Sequence, residues 1–174
     1  MGVEVNYSVR KRGQQCEACA REFEDGEKIH SRLIFENGEY MRLDYCKACK
    51  SQQNVDTTLS SWTTVYIPPP SPKEEALKKE NAESLLRKLI DDNTRDHTNA
   101  IYILAIMLER KKLVIERDVQ TKENGKKLRI YEHKKTGETF LITDPDLKLN
   151  ELEHVQEEVV NLLGGPQKLK KNHQ

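Results

Sequence analysis

The chain has no surplus of charge of either sign and few aromatic side chains. Its 29 acidic and 29 basic residues give a formal net charge of +0, and aromatics make up only 6% of its 174 residues. Proteins that grip nucleic acid through phosphates usually carry a basic excess, so this balance disfavours such a role for the chain as a whole. It does not exclude a local basic face.

Long hydrophobic runs are also missing. The longest covers residues 100–108, and nine helical residues span about 14 Å, far less than the roughly 30 Å hydrocarbon core of a bilayer. Residues 1–10 contain no apolar core of the kind found in secretory signal peptides. We therefore expect a cytoplasmic protein that has no membrane partner.

The common catalytic motifs are absent as well. The sequence contains no G-x-S-x-G, H-E-x-x-H, P-loop or G-x-G-x-x-G pattern. No nucleophile, base and oxyanion donor are brought together by sequence spacing alone. The expectation is that the protein is not an enzyme.

The strongest chemical signal is the placement of the cysteines. All four fall into two C-x-x-C pairs separated by 26 residues, and these are Cys16, Cys19, Cys46 and Cys49. This spacing is typical of a zinc site, because zinc favours four thiolates in a tetrahedron. A full shell of protein ligands leaves no position for a reactive water, so the predicted cofactor is one structural zinc ion.

Other interpretations of the cysteines are weaker. Two disulfides would need an oxidising compartment, and a thioredoxin-like redox site would need one pair beside a βαβ unit. His30 is the nearest possible substitute ligand, but its setting is that of an ordinary strand residue.

The segment between the cysteine pairs predicts a β-hairpin. Residues 28–36 and 39–45 are rich in branched and aromatic side chains, and Asn37-Gly38 joins them with a strong two-residue turn signal. The hairpin would return Cys46 to the first pair. With a short helix over residues 46–53, this order resembles the treble-clef family of zinc modules over about residues 14–54. A zinc ribbon is the close alternative, and neither family has a single function.

The predicted fold class is α+β, with a four-cysteine module followed by a helix-helix-meander-helix domain. Residues 1–67 form the zinc-binding module, 68–72 a proline-rich linker, 73–166 the second domain and 167–174 a basic mobile tail. Hydrophobic periodicity predicts the elements from residue 61 onward. These are a strand over 61–67, helices over 73–92 and about 94–112, strands over 113–119, 127–133 and 139–143, and a last helix from Asp146 or Asn150.

A basic stretch at residues 122–135 is a candidate nucleic-acid-binding hairpin, with Tyr131 available to stack on a base. Its candidate residues are Lys122, Lys126, Lys127, Arg129, Tyr131, Lys134 and Lys135. The alternative is a solvated hairpin whose lysines discourage edge-to-edge strand pairing. We prefer this alternative, because the chain lacks the basic excess that phosphate binding rewards.

The chain also resembles a group of uncharacterised bacterial proteins in which a knuckle-and-hairpin module precedes a proline-marked linker and a small helical domain. The shared marks are residues 13–24, the hairpin end Arg42-Leu-Asp-Tyr45, Trp62, and the Leu-Ala-Ile-Met-Leu helix. Other members lack some of the cysteines, which implies that the ion is dispensable to their fold. The resemblance brings no known activity with it.

These observations favour a non-enzymatic zinc-binding adaptor whose partner is another protein. One alternative is a nucleic-acid-binding regulator or ribosome-associated factor that uses the zinc module and the basic hairpin. Another is a thiol switch in which oxidation ejects zinc and frees a binding surface.

Overall fold

The computed structural model describes residues 6–51, 57–69, 81–92 and 95–164. Its strands are β1 (Tyr7–Val9), β2 (Lys28–Glu36), β3 (Glu39–Tyr45), β4 (Thr58–Val65), β5 (Val114–Thr121), β6 (Lys127–His133) and β7 (Thr139–Thr143). Its helices are α1 (Ala82–Asp92), α2 (Thr98–Arg110) and α3 (Leu149–Leu162), and a short 3-10 segment, Arg95–His97, precedes α2. The predicted mixture of helices and sheets is confirmed.

Some predicted features fall outside these residues. They are residues 70–72 of the linker, 73–80 of the first helix, the domain end at 165–166 and the tail at 167–174. Within the described part, no helix is long and apolar enough to cross a membrane.

The first sheet has the strand order β3-β2-β4. β2 and β3 have the predicted bounds, and the turn residues Asn37 and Gly38 have φ angles of 53° and 84°, the positive values that a type I′ turn requires. β4 begins and ends earlier than predicted. Its pairing with β2, from Lys28↔Val65 to Ile34↔Thr58, sets those bounds.

The second sheet has four strands in the order β1-β7-β6-β5, rather than the predicted three. The extra strand is β1, which pairs antiparallel with β7 through Tyr7↔Leu141 and Val9↔Thr139. Three residues are too few to show an alternating pattern, and the partner strand lies near the other end of the chain. This strand therefore was not predicted from the sequence.

The second sheet is buried on both faces. All five residues of β7 are buried: Phe140 and Ile142 pack in the core shared with the helices, and Leu141 packs with Leu33 and Trp62 of the first sheet. The described residues therefore form three layers, with helices on one face of the four-stranded sheet and the three-stranded sheet on the other. Each face of β7 buries apolar area that stabilises the contact between layers.

A buried carboxylate lies between the two sheets. Glu132 on β6 is only 1% exposed and receives three guanidinium groups, from Arg42 at 3.1 Å, Arg12 at 3.3 Å and Arg117 at 3.4 Å. We call these four residues the Glu132 cluster. An ionised carboxylate is costly to bury unless it is paired in this way.

Neutral donors complete the shell of Glu132. The Trp62 indole N–H donates to Oε2 at 2.6 Å and the Thr64 hydroxyl donates to Oε1 at 2.5 Å, both from β4. Burial alone would raise the pKa of Glu132, but the Arg42 charge and these hydrogen bonds outweigh it and hold that pKa below its usual value. Glu132 therefore stays ionised inside the protein.

A second buried carboxylate, Asp44 on β3, connects this network to the first cysteine pair. It accepts hydrogen bonds from Arg42 Nε at 3.0 Å, Ser31 Oγ at 2.6 Å and the Gly13 N–H at 2.8 Å. Its backbone carbonyl also accepts the Glu17 N–H at 3.0 Å. The segment that contains Gly13 and leads into the first cysteine pair is thus attached to the hairpin by polar contacts.

The predicted division into residues 1–67 and 73–166 concerns independent folding units and stays a prediction. The described residues of the two parts nonetheless share a hydrophobic cluster and the Glu132 cluster. Each part supplies the other with groups that would otherwise be unpaired or exposed.

We expect Glu132→Gln to lower the free energy of unfolding by about 3–5 kcal/mol, because the change keeps the shape but leaves two buried guanidinium groups, Arg12 and Arg42, and the partly exposed Arg117 without their anion. Urea denaturation of the purified protein measures this. The matched control is Glu123→Gln at an exposed hairpin turn, which should change stability by no more than about 0.5 kcal/mol.

The same pair of variants has a pH signature. The folded-state pKa of Glu132 is depressed, so its stabilisation is full above the ordinary glutamate pKa of about 4.3 and is lost as the pH falls toward the depressed value. Stability should therefore fall less steeply below about pH 4.3 in Glu132→Gln than in the wild type. Equal slopes would mean that the folded-state pKa of Glu132 is not depressed.

Candidate metal centre

The sulfur atoms of the four cysteines lie close together. The Sγ atoms of Cys16, Cys19, Cys46 and Cys49 are all within 4.8 Å of one another, and those of Cys19 and Cys46 are 4.0 Å apart. Four sulfurs bound tetrahedrally at roughly 2.3 Å from one zinc ion would be about 3.8 Å apart. The two pairs therefore form one group that can bind a metal ion after small adjustments.

The first pair lies on a tight knuckle. The Cys16 N–H donates to the Arg21 carbonyl at 2.8 Å, and the Ala20 N–H donates back to the Cys16 carbonyl at 2.9 Å. Ala20 has a φ of 57°, which is left-handed and costly for a residue that has a Cβ. This turn places Cys19 beside Cys16 at the cost of local backbone strain.

The second pair follows the end of the hairpin. Cys46 comes directly after β3, and its N–H points to Cys16 Sγ at 3.4 Å, so the hairpin returns it to the first pair as expected. The Cys49 N–H donates to the Cys46 carbonyl at 3.1 Å and closes the second turn. Residues 46–51 form turns rather than the predicted helix, whose last residues, Gln52 and Gln53, lie outside the described ranges.

The cysteine group is part of a small hydrophobic core. Cys16, Cys46 and Cys49 are buried, whereas Cys19 is exposed. The three buried cysteines pack with the apolar side chains Phe23, Ile29, Leu43, Tyr45 and Tyr66. A cluster this small buries little apolar area, so a bound ion would add stability that the core alone lacks.

Backbone N–H groups around the sulfurs favour the thiolate form of Cys16. Burial by itself raises the pKa of Cys16, but the N–H groups of Cys46, Cys19 and Ala18 outweigh it and bring that pKa to about 6. By contrast, a hydrogen bond to the Cys46 side chain, together with burial, raises the pKa of Cys49 to about 12. A divalent cation among the sulfurs would allow all four to ionise, because its charge offsets their mutual repulsion.

His30 does not join the sulfur group. Its Nδ1 lies 3.1 Å from the Thr63 hydroxyl across the β2–β4 pair, as expected for an ordinary strand residue. Burial, together with the charges of Lys50 and Arg32, lowers its pKa.

The basic residues of the predicted nucleic-acid-binding hairpin are spread along β6 rather than clustered. Lys122, Lys126 and Lys127 lie at the β5–β6 turn, while Lys134 and Lys135 lie beyond the other end of β6, a strand roughly 20 Å long. Arg129 lies between them and pairs with Glu116 at 2.7 Å and Asp144 at 2.9 Å.

The expected role of Tyr131 is wrong. Its ring is 1% exposed and belongs to the core shared with the helices, because β6 is an inner strand of the second sheet. A base cannot stack on a ring that the helices already cover.

The buried polar network beside the knuckle was not predicted from the sequence. A signal was present in β3, where Arg42 and Asp44 alternate with Leu43 and pair across the hairpin with the fully buried Leu33 and Ser31. Charged residues at inward positions indicate a buried ion pair. The sequence does not show that Glu132 is the partner.

No protein-family model, no curated protein and no solved structure matches this chain. The resemblance to the bacterial proteins stays an expectation. The site is thus described by its own geometry.

We expect protein purified without added metal to contain close to one zinc ion per chain, because four clustered thiolates hold zinc tightly. Elemental analysis measures the stoichiometry, and chelation should lower the thermal midpoint. Cys46→Ser should lose most of the metal. Less than about half an equivalent of metal, with four freely reactive thiols, would contradict the assignment.

A second expectation concerns the backbone of the knuckle. Ala20→Gly should stabilise the metal-loaded protein by about 1 kcal/mol, because glycine adopts a left-handed conformation without the Cβ penalty. The control is Ala18→Gly in the same knuckle, where φ is not positive and the added chain entropy should destabilise the protein by about 0.5–1 kcal/mol. Thermal unfolding of both variants provides the comparison, and a shift of the same sign in both would refute the strain at Ala20.

Proposed function

We propose that this chain is a zinc-binding, non-enzymatic adaptor in which a structural four-cysteine zinc ion holds a hairpin in position for a protein partner. The observation that carries the proposal is the single group of four sulfurs within 4.8 Å, formed by one cysteine pair that precedes the β2–β3 hairpin in the chain and one that follows it. Four protein ligands would fill the tetrahedral shell, which suits a structural ion rather than a reaction centre.

Zinc is the metal that the donor set favours. Tetrahedral thiolate sites suit zinc or iron–sulfur chemistry, and the sulfur spacing fits one ion. The turns over residues 46–51 support a ribbon-like module over a treble clef, since a treble clef would start its helix near this pair.

The surface presented by the hairpin is aromatic. Phe35 and Tyr40 pair across the hairpin, with ring centroids 4.8 Å apart. The ring of Tyr7 on β1 lies 4.7 Å from that of Tyr40, and we call these three residues the aromatic row. Phe35 is 43% and Tyr7 is 38% exposed. Exposed aromatic side chains of this kind are enriched at protein interfaces.

Acidic side chains at the tip of the hairpin indicate the charge of the partner. Glu36 and Glu39 are exposed and lie directly opposite each other in the ladder, one residue closer to the turn than the Phe35–Tyr40 pair and on the other face of the hairpin, because side chains alternate along a strand. Like charges at such positions repel, and a cationic group docked between them would relieve that repulsion. We therefore propose a protein partner that inserts a segment with lysine or arginine side chains.

Metal binding and partner binding are connected through the hairpin. The ladder runs from His30↔Tyr45, beside Cys46, to Glu36↔Glu39 at the turn. An ion that fixes the cysteine end therefore restrains the strands that carry the aromatic row. Binding by the basic hairpin and the thiol switch stay predictions.

A comparative pull-down tests the proposal. We expect a basic protein to be retained by the wild type and lost with Phe35→Ser, because this change removes the exposed ring without altering the core. Leu149→Ser is the matched control, since Leu149 is 86% exposed but lies at the start of α3. Zinc content should be normal in both variants.

Two outcomes would contradict the proposal. If Phe35→Ser retains the same proteins as the wild type, the aromatic row is not the docking surface. If nucleic acid co-purifies and its retention falls steeply with salt, the nucleic-acid alternative replaces the adaptor.

A further inference from the structure

A small cavity opens beside the Glu132 cluster, away from the metal centre and from the aromatic row. It has a volume of about 100 Å³ and is lined by Arg12 and Lys11, by Gln14, Tyr66, Ile67 and Pro69, and by Thr136 of the β6–β7 turn. We propose that this cavity binds a small carboxylate through Arg12. The proposal goes beyond the adaptor role, because it uses neither the zinc ion nor the hairpin.

Arg12 is buried but incompletely paired. Its side chain is 2% exposed, and Nη2 makes only long contacts, to Glu132 at 3.3 Å, the Lys134 carbonyl at 3.4 Å and Thr64 at 3.5 Å. Its Nε and Nη1 are buried and have no hydrogen-bond partner among the described residues. Buried guanidinium donors are rarely left without an acceptor, so this side chain indicates a missing ligand.

The geometry assigns one of the two unpaired nitrogens to the cavity. Nε lies against the backbone of Gly137, where an added Cβ would stand 2.9 Å from it. Nη2 already faces Glu132. Nη1 is therefore the donor left without an acceptor, and because it is buried, the Arg12 side chain would shift slightly to bring it to a ligand in the cavity that this residue lines.

The local charge balance also calls for an anion. Among the described residues, Arg12, Arg42 and Arg117 face the two buried carboxylates of Glu132 and Asp44, which leaves one positive charge in excess. The described part of the cavity lining contains no carboxylate. Burial lowers the pKa of Arg12, as expected for a cation whose lost hydration is not fully replaced.

The chemistry of the walls favours a carboxylate over a phosphate. One excess positive charge matches a monoanion, and Tyr66, Ile67 and Pro69 give an apolar wall for a short carbon chain. The volume would hold about three waters. Water would satisfy Nη1 but would leave the excess charge in place.

Titration with propionate, followed by amide and arginine Nε–H NMR signals at constant ionic strength, tests the proposal. We expect saturable shifts at Arg12, Gln14 and Thr136. Arg12→Lys should weaken binding about tenfold or more, because lysine keeps the charge but lacks the planar fork.

Gln14→Leu provides a second variant that leaves the buried cluster untouched. Gln14 is exposed and lines the cavity, so removing its amide should weaken propionate binding about threefold to tenfold while the fold is retained. Lys135→Gln is the control. It removes a neighbouring exposed charge outside the lining and should leave the affinity unchanged.

Three results would overturn the inference. Shifts that rise linearly and match those caused by chloride would mean that the cavity holds water only. Tighter binding of inorganic phosphate than of propionate would exclude the carboxylate assignment. Unchanged propionate affinity in both Arg12→Lys and Gln14→Leu would place any binding elsewhere on the protein.

Discussion

The arrangement of the described residues depends on one buried carboxylate, that of Glu132. Removing its hydration is costly, and its neighbours offset that cost with three guanidinium groups and two neutral donors. Those groups come from the segment before the first knuckle, from β3, from β4 and from β5. A single side chain in the second sheet thus requires four other parts of the chain to be in place, which orients the two sheets as well as holding them together.

The metal centre and the buried network support each other through Asp44. The side chain of Asp44 pairs with Arg42, and its carbonyl accepts the N–H of Glu17, inside the first cysteine pair. Polar contacts that do not involve the sulfurs therefore help to position the knuckle. Such preorganisation would reduce the entropy lost when the cysteines coordinate a metal.

The position of the second sheet explains how the chain builds a core with a modest aromatic content. β7 contacts the helices with one face and the first sheet with the other, so each apolar residue in it stabilises a contact between layers. The polar cluster lies in the same layer as Leu33, Trp62 and Leu141. Among the described phenylalanine and tyrosine side chains, Phe35 and Tyr7 are the most exposed and are left at the surface.

Local sequence patterns alone predicted the two cysteine pairs, the Asn37-Gly38 hairpin, and the strands over 28–36, 39–45, 127–133 and 139–143. They could do so because thiolate spacing, turn chemistry and alternating burial act between near neighbours. Tertiary structure alone decided that β1 joins β7, that Tyr131 is covered by helices and that Glu132 pairs with Arg12 and Arg42. These contacts join residues far apart in the chain. Their energies come from burial and desolvation, which no local pattern records.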